Sequence, residues 1–499
     1  MASPESIVTE VRGQFERLLA ETLDVATQER TMDSMERHLF RRVLDLGRAL
    51  LELFVAQRAQ ATRQPAVVTP ADVCLAYHSE RRRTYGSIFG PVPVARPYFY
   101  EQGHGGYAPL DARLSLPAGK WSDLVREWTE ELAVGRAYHR AVGVLDRFVG
   151  LGLSSREVAA VIAADAQVVP AFYAQQPPPP VQTEGPLLVL QADGKGVPIL
   201  RPAVAAKARL GKGEKLGGKK EAILTGLYTI APAVRTPQAV VASLFKQPSA
   251  APPVPPASRT GPQHKRLYAT LTGKTAALAE VAGQVARRDG PPITQRIALT
   301  DGSLALQQRV LAQFPQFTLV LDCIHMVEYL WKAANALLGE THVQRTAWVR
   351  TRALQMLSGQ GAAVSAEFVQ LAQAPKRSRR QAKVLQQVAA YLERNLPYMH
   401  YDQYLAQGWP IATGVIEGAC RHLVKDRCEL SGMRWTIAGA EALLAVRCVH
   451  ENGDWEAFHA FRRQQRHQQL YHTPFPAPAM PVELRLATLS EEHPLARAA

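Results

Sequence analysis

Cysteine is scarce in this 499-residue chain. The five present are Cys74, Cys323, Cys420, Cys428 and Cys448, and no two stand in CxxC spacing. An odd number without paired spacing argues against a disulfide scaffold or a zinc site and fits a reducing cytoplasm. Long apolar runs are missing as well. No run approaches the roughly 18 apolar residues that span a bilayer, and the opening MASPESIVTEVRGQFERLL is too charged for a signal peptide, so no membrane association is expected. Acidic residues fall short of basic ones, 44 against 58, which leaves a net charge of +14 and a pI near 9.6. That excess favours a polyanionic partner, most simply DNA or RNA, though an acidic protein would also satisfy it. No internal repeat is apparent. A hydrophobic content of 47% argues against disorder throughout, and the length is too great for one core, so about two to four domains are expected.

Along the chain, residues 1–65 read as a helical region, with Ile7, Val11, Phe15, Leu18 and Leu19, then Leu39, Val43, Leu46 and Leu50, recurring at helical steps. Residues 66–118 read as a small β-hairpin unit around YGSIFGPVPVARPYFY. Residues 119–176 return to helices. Within them HRAVGVLDRFVGLGLSSREVAAVIAADAQ outlines a helix-turn-helix, although a plain two-helix corner capped by Ser would look the same. Residues 177–185 form a Pro-rich linker.

The segment 186–330 then alternates strands and helices. Strands are expected at 186–192, 197–201 and 222–230, and a polar, Pro-rich loop at 246–263. A helix follows at about 264–288, then strands at 295–300 and 317–321 around a helix opened by Ser303. Residues 331–408 form a helical insertion, 409–452 carry a further helix at about 413–429, and 453–499 form a C-terminal tail. The order βββαβαβ, helical insertion, α describes a mixed α/β core with short buried strands.

Three carboxylates stand out in that core. Asp193 in PLLVLQADGKGVPI and Asp301 in QRIALTDGSLALQQRV close apolar runs that read as strands; Glu417 in PIATGVIEGACRHLVKDR opens a run with helical periodicity. Two strand-end Asp residues and a helix-borne Glu, far apart in sequence, are what a two-metal phosphoryl-transfer site needs, because hard divalent cations prefer carboxylate oxygens. The pattern points to a nuclease or a transposase. Taken singly, Asp193 and Asp301 also read as turn or cap residues, and Glu417 as one half of an exposed ion pair with Arg421. Asp322 rivals Asp301 for the second position, since it too closes an apolar strand.

The elements in this order resemble the RNase H-like core of the DDE transposases, whose first Asp lies on the first strand, second Asp ends the fourth, and Glu sits on a later helix. FTLVLDCIHMVEYLWK adds Asp322 and His325, matching the (C/D)xxH element of the Mutator-like branch, which also carries a helical insertion. The chain is similar to the ISKra family of bacterial insertion-sequence transposases. The likeness rests on ADGKGVPI, KGEKLGGKKEAILTGLYTIAPAVRTP, LDCIHMVEYLWKAA, YDQYLAQGWPIATGVIEGACRHLVKDR and SGMRWTIAGAEALL, and extends from about residue 80 to 465. Relatives often carry paired cysteines after the hairpin, as in a zinc ribbon, but YFYEQGHGGYAPLD has none.

The resemblance implies that Asp193, Asp301 and Glu417 bind two Mg²⁺ ions, with Mn²⁺ able to substitute. His325 supports them by orienting DNA or a carboxylate, with Asp322 as accessory. It also implies a fold with an RNase H-like mixed-sheet core behind a mainly helical N-terminal region. The partners would be double-stranded DNA, both terminal inverted repeats and target, bound by at least a dimer in the bacterial cytoplasm at the nucleoid.

Basic runs at 208–220, which include Lys219 and Lys220, and at 375–383 read as a phosphate-tracking surface or as solvated loops. Arg421, Lys425, Arg427 and Arg434 are expected to neutralise a DNA backbone, and Trp435 to stack on an unpaired base unless it is a core aromatic. A nuclease that cleaves without joining strands, and a non-catalytic DNA-binding relic, are the alternative readings.

Overall fold

The computed structural model describes residues 3–24, 30–200, 218–245, 261–375 and 377–475. The basic run expected at 208–220 therefore lies outside the described residues up to position 217, as does the Pro-rich loop from 246 to 260. The described chain is mixed α/β, and it divides into two compact units. The first comprises residues 1–129, 143–153 and 459–499; the second comprises 130–142 and 154–458.

In the first unit, α1 (Pro4–Leu23) and α2 (Met32–Gln60) each begin at a hydroxyl cap, Ser3 and Thr31, whose side chain accepts a backbone N–H of the first turn. The expected hairpin is the centre of a four-stranded antiparallel sheet, β1 (Ala66–Val68), β2 (Cys74–Ser87), β3 (Gly90–Glu101) and β4 (Gly105–Tyr107), in sequential order. Val92 and Val94 alternate inward from β3 and meet Val55 and Ala59 of α2, together with Leu110 and Leu116. Leu110 belongs to the short helix α3 (Pro109–Arg113).

Helices α4 (Asp123–Gly135) and α5 (Tyr138–Val149) follow, then α6 (Ser155–Ala166) and α7 (Val169–Gln175). Between α5 and α6, Gly150 and Gly152 take φ of +63° and +60°, a left-handed turn that other residues adopt at a cost. Ser154 and Glu157 then form a reciprocal capping box. The local outline of a helix-turn-helix is thus present. The exposed side of α6, however, carries Ala159, Ala160, Ala163 and Ala164 with Arg156 as its cation, which offers few groups for reading bases. By length and composition alone the helical stretch Ser155–Gln175 could cross a membrane. Its apolar residues Val158, Ile162 and Ala166 instead pack into a core of the second unit with residues of α18 (Ile437–Glu451).

The second unit is built on a five-stranded sheet: β5 (Leu187–Pro198), β6 (Lys219–Ile230), β7 (Gln263–Thr270), β8 (Gln295–Thr300) and β9 (Thr318–Leu321). The strand order is β7-β6-β5-β8-β9; β6 runs antiparallel to both neighbours, and β5, β8 and β9 are mutually parallel.

Three strands do precede the first long helix, but only 222–230, which lies within β6, stands as a separate strand as expected. The segments 186–192 and 197–201 are one strand, because Gly194 and Gly196 stay extended and continue the register opposite Ile223 and Glu221 instead of turning. The helix expected from 264 begins only at Lys274; residues 263–270 are the edge strand β7, whose polar start QHKR hid its pairing with β6.

Helix α8 (Pro237–Leu244) lies between β6 and β7. After β7 come α9 (Lys274–Arg288), α10 (Leu304–Gln313) and α11 (Cys323–Leu338). Residues of α9 and α10 cover one face of the sheet, meeting Leu188, Leu190 and Ala192 of β5. The insertion supplies α12 (Arg345–Leu357), α13 (Gly361–Gln373), α14 (Arg379–Asn395) and α15 (Tyr401–Ala406), which join α11 over the opposite face, against Leu187 and Val189. Next come α16 (Gly414–Ala419), a π-helical turn over Cys420–Lys425 and α17 (Asp426–Cys428); α18 and α19 (Trp455–Tyr471) complete the described chain.

Candidate metal centre

The period-2 alternation of β5 sets up the site. Leu187 and Val189 face the insertion core, and Val197 at the far end joins the core around Leu423 and Val424. Between them on the same face stand Gln191, Asp193 and Lys195. Gln191 is fully buried and hydrogen-bonded throughout: its Nε2 donates to Tyr228 Oη at 2.9 Å and to Ala412 O at 3.3 Å, and its Oε1 accepts the Ile416 amide at 3.0 Å. One side chain thereby pins the first turn of α16 to the central strand, and that turn carries Glu417.

Asp193 lies two residues further along, inside β5 rather than at its end as expected. Its position is nonetheless an edge of another kind, because β8 pairs with β5 only as far as Gln191. Asp193 is therefore the first same-face residue beyond the parallel pairing. Its Oδ1 accepts the Gly194 amide at 2.6 Å and its Oδ2 the Cys420 thiol at 3.3 Å. Asp193, Lys195, His325, Glu328, Glu417 and Arg421 all line one open cleft of about 400 Å³.

Asp322 caps α11 and is fully buried. Its Oδ2 lies 2.6 Å from His325 Nδ1, and its Oδ1 accepts the Thr413 amide at 3.2 Å. Thr413 in turn donates its hydroxyl to Glu417 Oε1 at 3.1 Å. Ligand atoms of Asp322, His325 and Glu417 lie within 4.8 Å of one another, close enough to share a cation.

Asp301, expected as the second catalytic carboxylate, is outside that trio. It follows β8 directly, its Oδ1 accepts the Ser303 amide at 2.9 Å, and it is half-buried. The insertion holds this turn: Tyr391 donates its hydroxyl to Asp301 O at 3.0 Å, and Arg394 donates to Gly302 O at 2.9 Å. Tyr391 is itself stacked on Tyr329 of α11 with ring centroids 3.5 Å apart.

The electrostatics are those of gathered acids. Burial, reinforced by Asp301, pushes the Asp193 carboxyl above its ordinary value. Burial, with Asp322 and Asp193 nearby, does the same to Glu417. The hydrogen bond that His325 donates to Asp322 raises its pKa as well, to about 9, but for a base a raised value favours the charged form, so its ring is an imidazolium at neutral pH. Asp193 and Glu417, oxygen donors in a half-shielded cleft that resist ionisation beside their neighbours, are fitting ligands for a hard divalent cation. Asp322 contributes less to such a set than its distances suggest, because all of its lone-pair directions are taken.

The expected DNA contacts divide in two. Arg421, Lys425, Arg434 and Lys220 are exposed, and Arg421 and Lys425 line the cleft. Glu417, Arg421 and Lys425 are four residues apart, and over eight residues a regular α-helix would rotate the third away from the first by roughly 80°. The π turn from Cys420 uses more residues per turn and reduces that drift. Lys219 is exposed but paired with Glu429.

Arg427 and Trp435 are corrections. Arg427 is only 1% exposed, its guanidinium between Tyr138 and Trp435, with Nε donating to Ala133 O at 2.8 Å. Trp435 is 8% exposed and donates its indole N–H to Cys428 O at 3.0 Å. Both belong to the packing beneath the helix, where neither a phosphate nor a base can reach them.

Sequence reasoning did not single out Gln191, Thr413, Cys420 or Lys195. The available signal was a polar Gln inside the apolar run LLVLQAD, which has to find partners if the strand is buried. Compared with known proteins, the chain matches no family model and no curated protein.

Proposed function

We propose that this protein is a DNA transposase of the DDE class, similar to the ISKra insertion-sequence family, with an RNase H-like core in its second unit. One observation carries the reading. Asp193, the Asp301 turn and Glu417 gather where the parallel pairing of β5 with β8 stops, in a five-stranded sheet whose second strand alone is antiparallel, beside an open cleft edged by cations.

Asp193, Asp301 and Glu417 would hold two Mg²⁺ ions, or Mn²⁺ in their place, which when bound activate an attacking oxygen and neutralise charge at phosphorus. The chain's own groups do the rest. Thr413 and Gln191 orient Glu417 through the first turn of α16. Asp322 holds the His325 imidazolium so that its Nε2–H is available to a phosphate oxygen. Arg421, Lys425 and Lys195 offset the charge of the DNA backbone at the cleft. The reactions would be hydrolysis at a transposon end, which exposes a 3′-OH, and attack by that hydroxyl on target DNA. Both are in-line displacements, so one constellation serves both. The partners are the element's terminal inverted repeats and its target, at the nucleoid.

The test is metal-dependent cleavage of DNA bearing the element's terminal repeats, comparing wild type with Glu417→Gln, Asp301→Asn and Asp322→Asn. Loss of cleavage in the first two, with DNA binding kept, supports the assignment. Full activity in Asp301→Asn with none in Asp322→Asn would move the second carboxylate to Asp322. Cleavage without joining of pre-cut ends would make the protein a nuclease, and binding of the repeats without any cleavage would make it a non-catalytic relic.

A further inference from the structure

We propose that the exposed ring cluster of the β2–β3 hairpin, His78, Tyr98 and Tyr100 with Arg81, is a stacking platform for the unpaired bases of a single-stranded nucleic acid. The surface belongs to the first unit and is separate from the cleft. It holds whether or not the transposase reading does, because a duplex keeps its bases stacked inside and has none to offer these rings.

Alternation along β3 puts Tyr98 and Tyr100 on one side of the strand, their rings 17° from parallel with centroids 6.4 Å apart. The bulge in β2 between Tyr77 and Ser79 falls at His78, whose ring stands edge-on to both, at 6.2 and 5.6 Å. The Arg81 guanidinium lies over Tyr98, its carbon 3.4 Å from the ring centre, which is stacking contact. A Cβ at Gly106 would overlap the Tyr98 hydroxyl, so that ring rests on the bare backbone of β4. Cross-strand contact alone would stabilise the hairpin, but it would not require the stack to end in the open. Here Tyr100 is 40% exposed, and His78 and Arg81 are exposed as well.

Charge and shape together select the ligand. Glu80 is taken by Arg63 at 2.7 Å, and Glu101 faces His104 at 3.5 Å. Arg83 is used internally, donating to Pro117 O at 2.7 Å. Arg81 and Arg82 are exposed and have no carboxylate partner among the described residues. The platform therefore combines flat faces with uncompensated cations. A base meets the rings and the guanidinium plane while its phosphate meets the arginines. An acidic peptide would use only the arginines, and a Pro-rich one only the rings.

The experiment uses the full-length protein in chelator, so that nothing is cut. It follows the fluorescence anisotropy of labelled oligothymidylate and oligouridylate of about twelve nucleotides, and of a duplex of the same length. Wild type is expected to bind at least one single strand, and the tighter of the two names the sugar of the ligand. Y100A and Y98A/Y100A should weaken that binding about fivefold or more, Y100W should keep it, and duplex binding should stay unchanged. Tyr100 is exposed, so Y100A keeps the test open should the double variant fold poorly. Photo-cross-linking of an iodouracil strand should map to Tyr98 or Tyr100. No single-strand binding by wild type, undiminished binding by Y100A and Y98A/Y100A, or an equal loss for the duplex would overturn the proposal. So would a loss in R81A that the tyrosine variants do not share, which would leave a charge patch open to any acidic partner. None of these results depends on cleavage, so they leave the functional reading untouched.

Discussion

Asp322 accepts His325 Nδ1–H at 2.6 Å while the backbone amides of Ile324, His325 and Thr413 occupy its remaining lone pairs. This one buried carboxylate joins the first turn of α11 to the entry of α16, and so to Glu417. It also sets the charge of the histidine facing the cleft. Its chemistry is that of a positioning residue, and the following outcomes are expected from it and its neighbours.

His325 holds its proton more tightly in the folded protein than its ordinary value of 6.5 would allow, with a raised pKa of about 9. The stability it contributes is therefore complete below pH 6.5 and is lost as pH climbs through about 9. His325→Gln should cost on the order of 2 kcal/mol at pH 6 and little at pH 10. Urea unfolding of both proteins across that range measures the difference, and parallel curves would contradict the imidazolium.

Glu417 is also pushed up, above its ordinary 4.5, mainly by burial, and for an acid that disfavours the charged form. Its ionised form is disfavoured in the folded state; the resulting destabilisation is absent below pH 4.5 and complete once pH exceeds the raised value. Because the group is partly solvated, Glu417→Gln should stabilise the metal-free protein at neutral pH only modestly, on the order of 0.5 kcal/mol. Adding Mg²⁺ should raise the melting temperature of wild type and not of the variant. Melting curves in chelator and in Mg²⁺ decide the point.

Arg427 and Arg421 should separate stability from binding. Arg427→Ala removes a buried guanidinium, its bond to Ala133 O and its packing against Tyr138 and Trp435, at a cost of about 2–4 kcal/mol. Burial has already lowered its pKa to about 10. Arg421→Ala, on an exposed side chain, should leave unfolding unchanged and reduce the salt dependence of DNA binding by about one ion. Unfolding and salt titrations of the two variants test both halves.

Gly302 takes φ of +87°, and a Cβ there would stand 2.7 Å from Tyr391 Oη. Gly302→Ala should destabilise by about 2 kcal/mol or more and displace the turn bearing Asp301. Loss of cleavage with Asp193 and Glu417 intact would tie that turn to the chemistry. Full activity would mean that Asp301 is dispensable.

Much of the mixed α/β character was legible in local pattern. The runs LLVLQA, AILTGLYTI, RIALT and TLVL are apolar because the strands are covered on both faces. The helices of the insertion declare themselves by their 3.6-residue period. Strand β7 was not legible, since an edge strand needs little apolar content and QHKRLYAT runs on into a strong helix. The length of β5 was hidden by Gly194-Lys195-Gly196, which local rules read as a turn and hairpin pairing with β6 keeps extended. The positions of Arg427 and Trp435 failed for a related reason. Periodicity places them near Glu417, but it does not say which side of that helix is covered, and the packing of Tyr138 and Ala133 buries them.

Residue chemistry alone supplies the cationic surplus, the strand and helix periodicities and the identity of Asp193, Asp301 and Glu417 as candidates, because these depend on composition and on neighbours close in the chain; His325 became a candidate only through the family likeness. Folding adds the relations among distant segments. Gln191 meets Ile416 across 225 positions, Asp322 meets Thr413 across 91, and Asp322 rather than Asp301 stands beside His325 and Glu417. Those contacts are set by sheet order and by burial. No local rule encodes them, since a buried polar group will take any partner that the packed chain brings within reach.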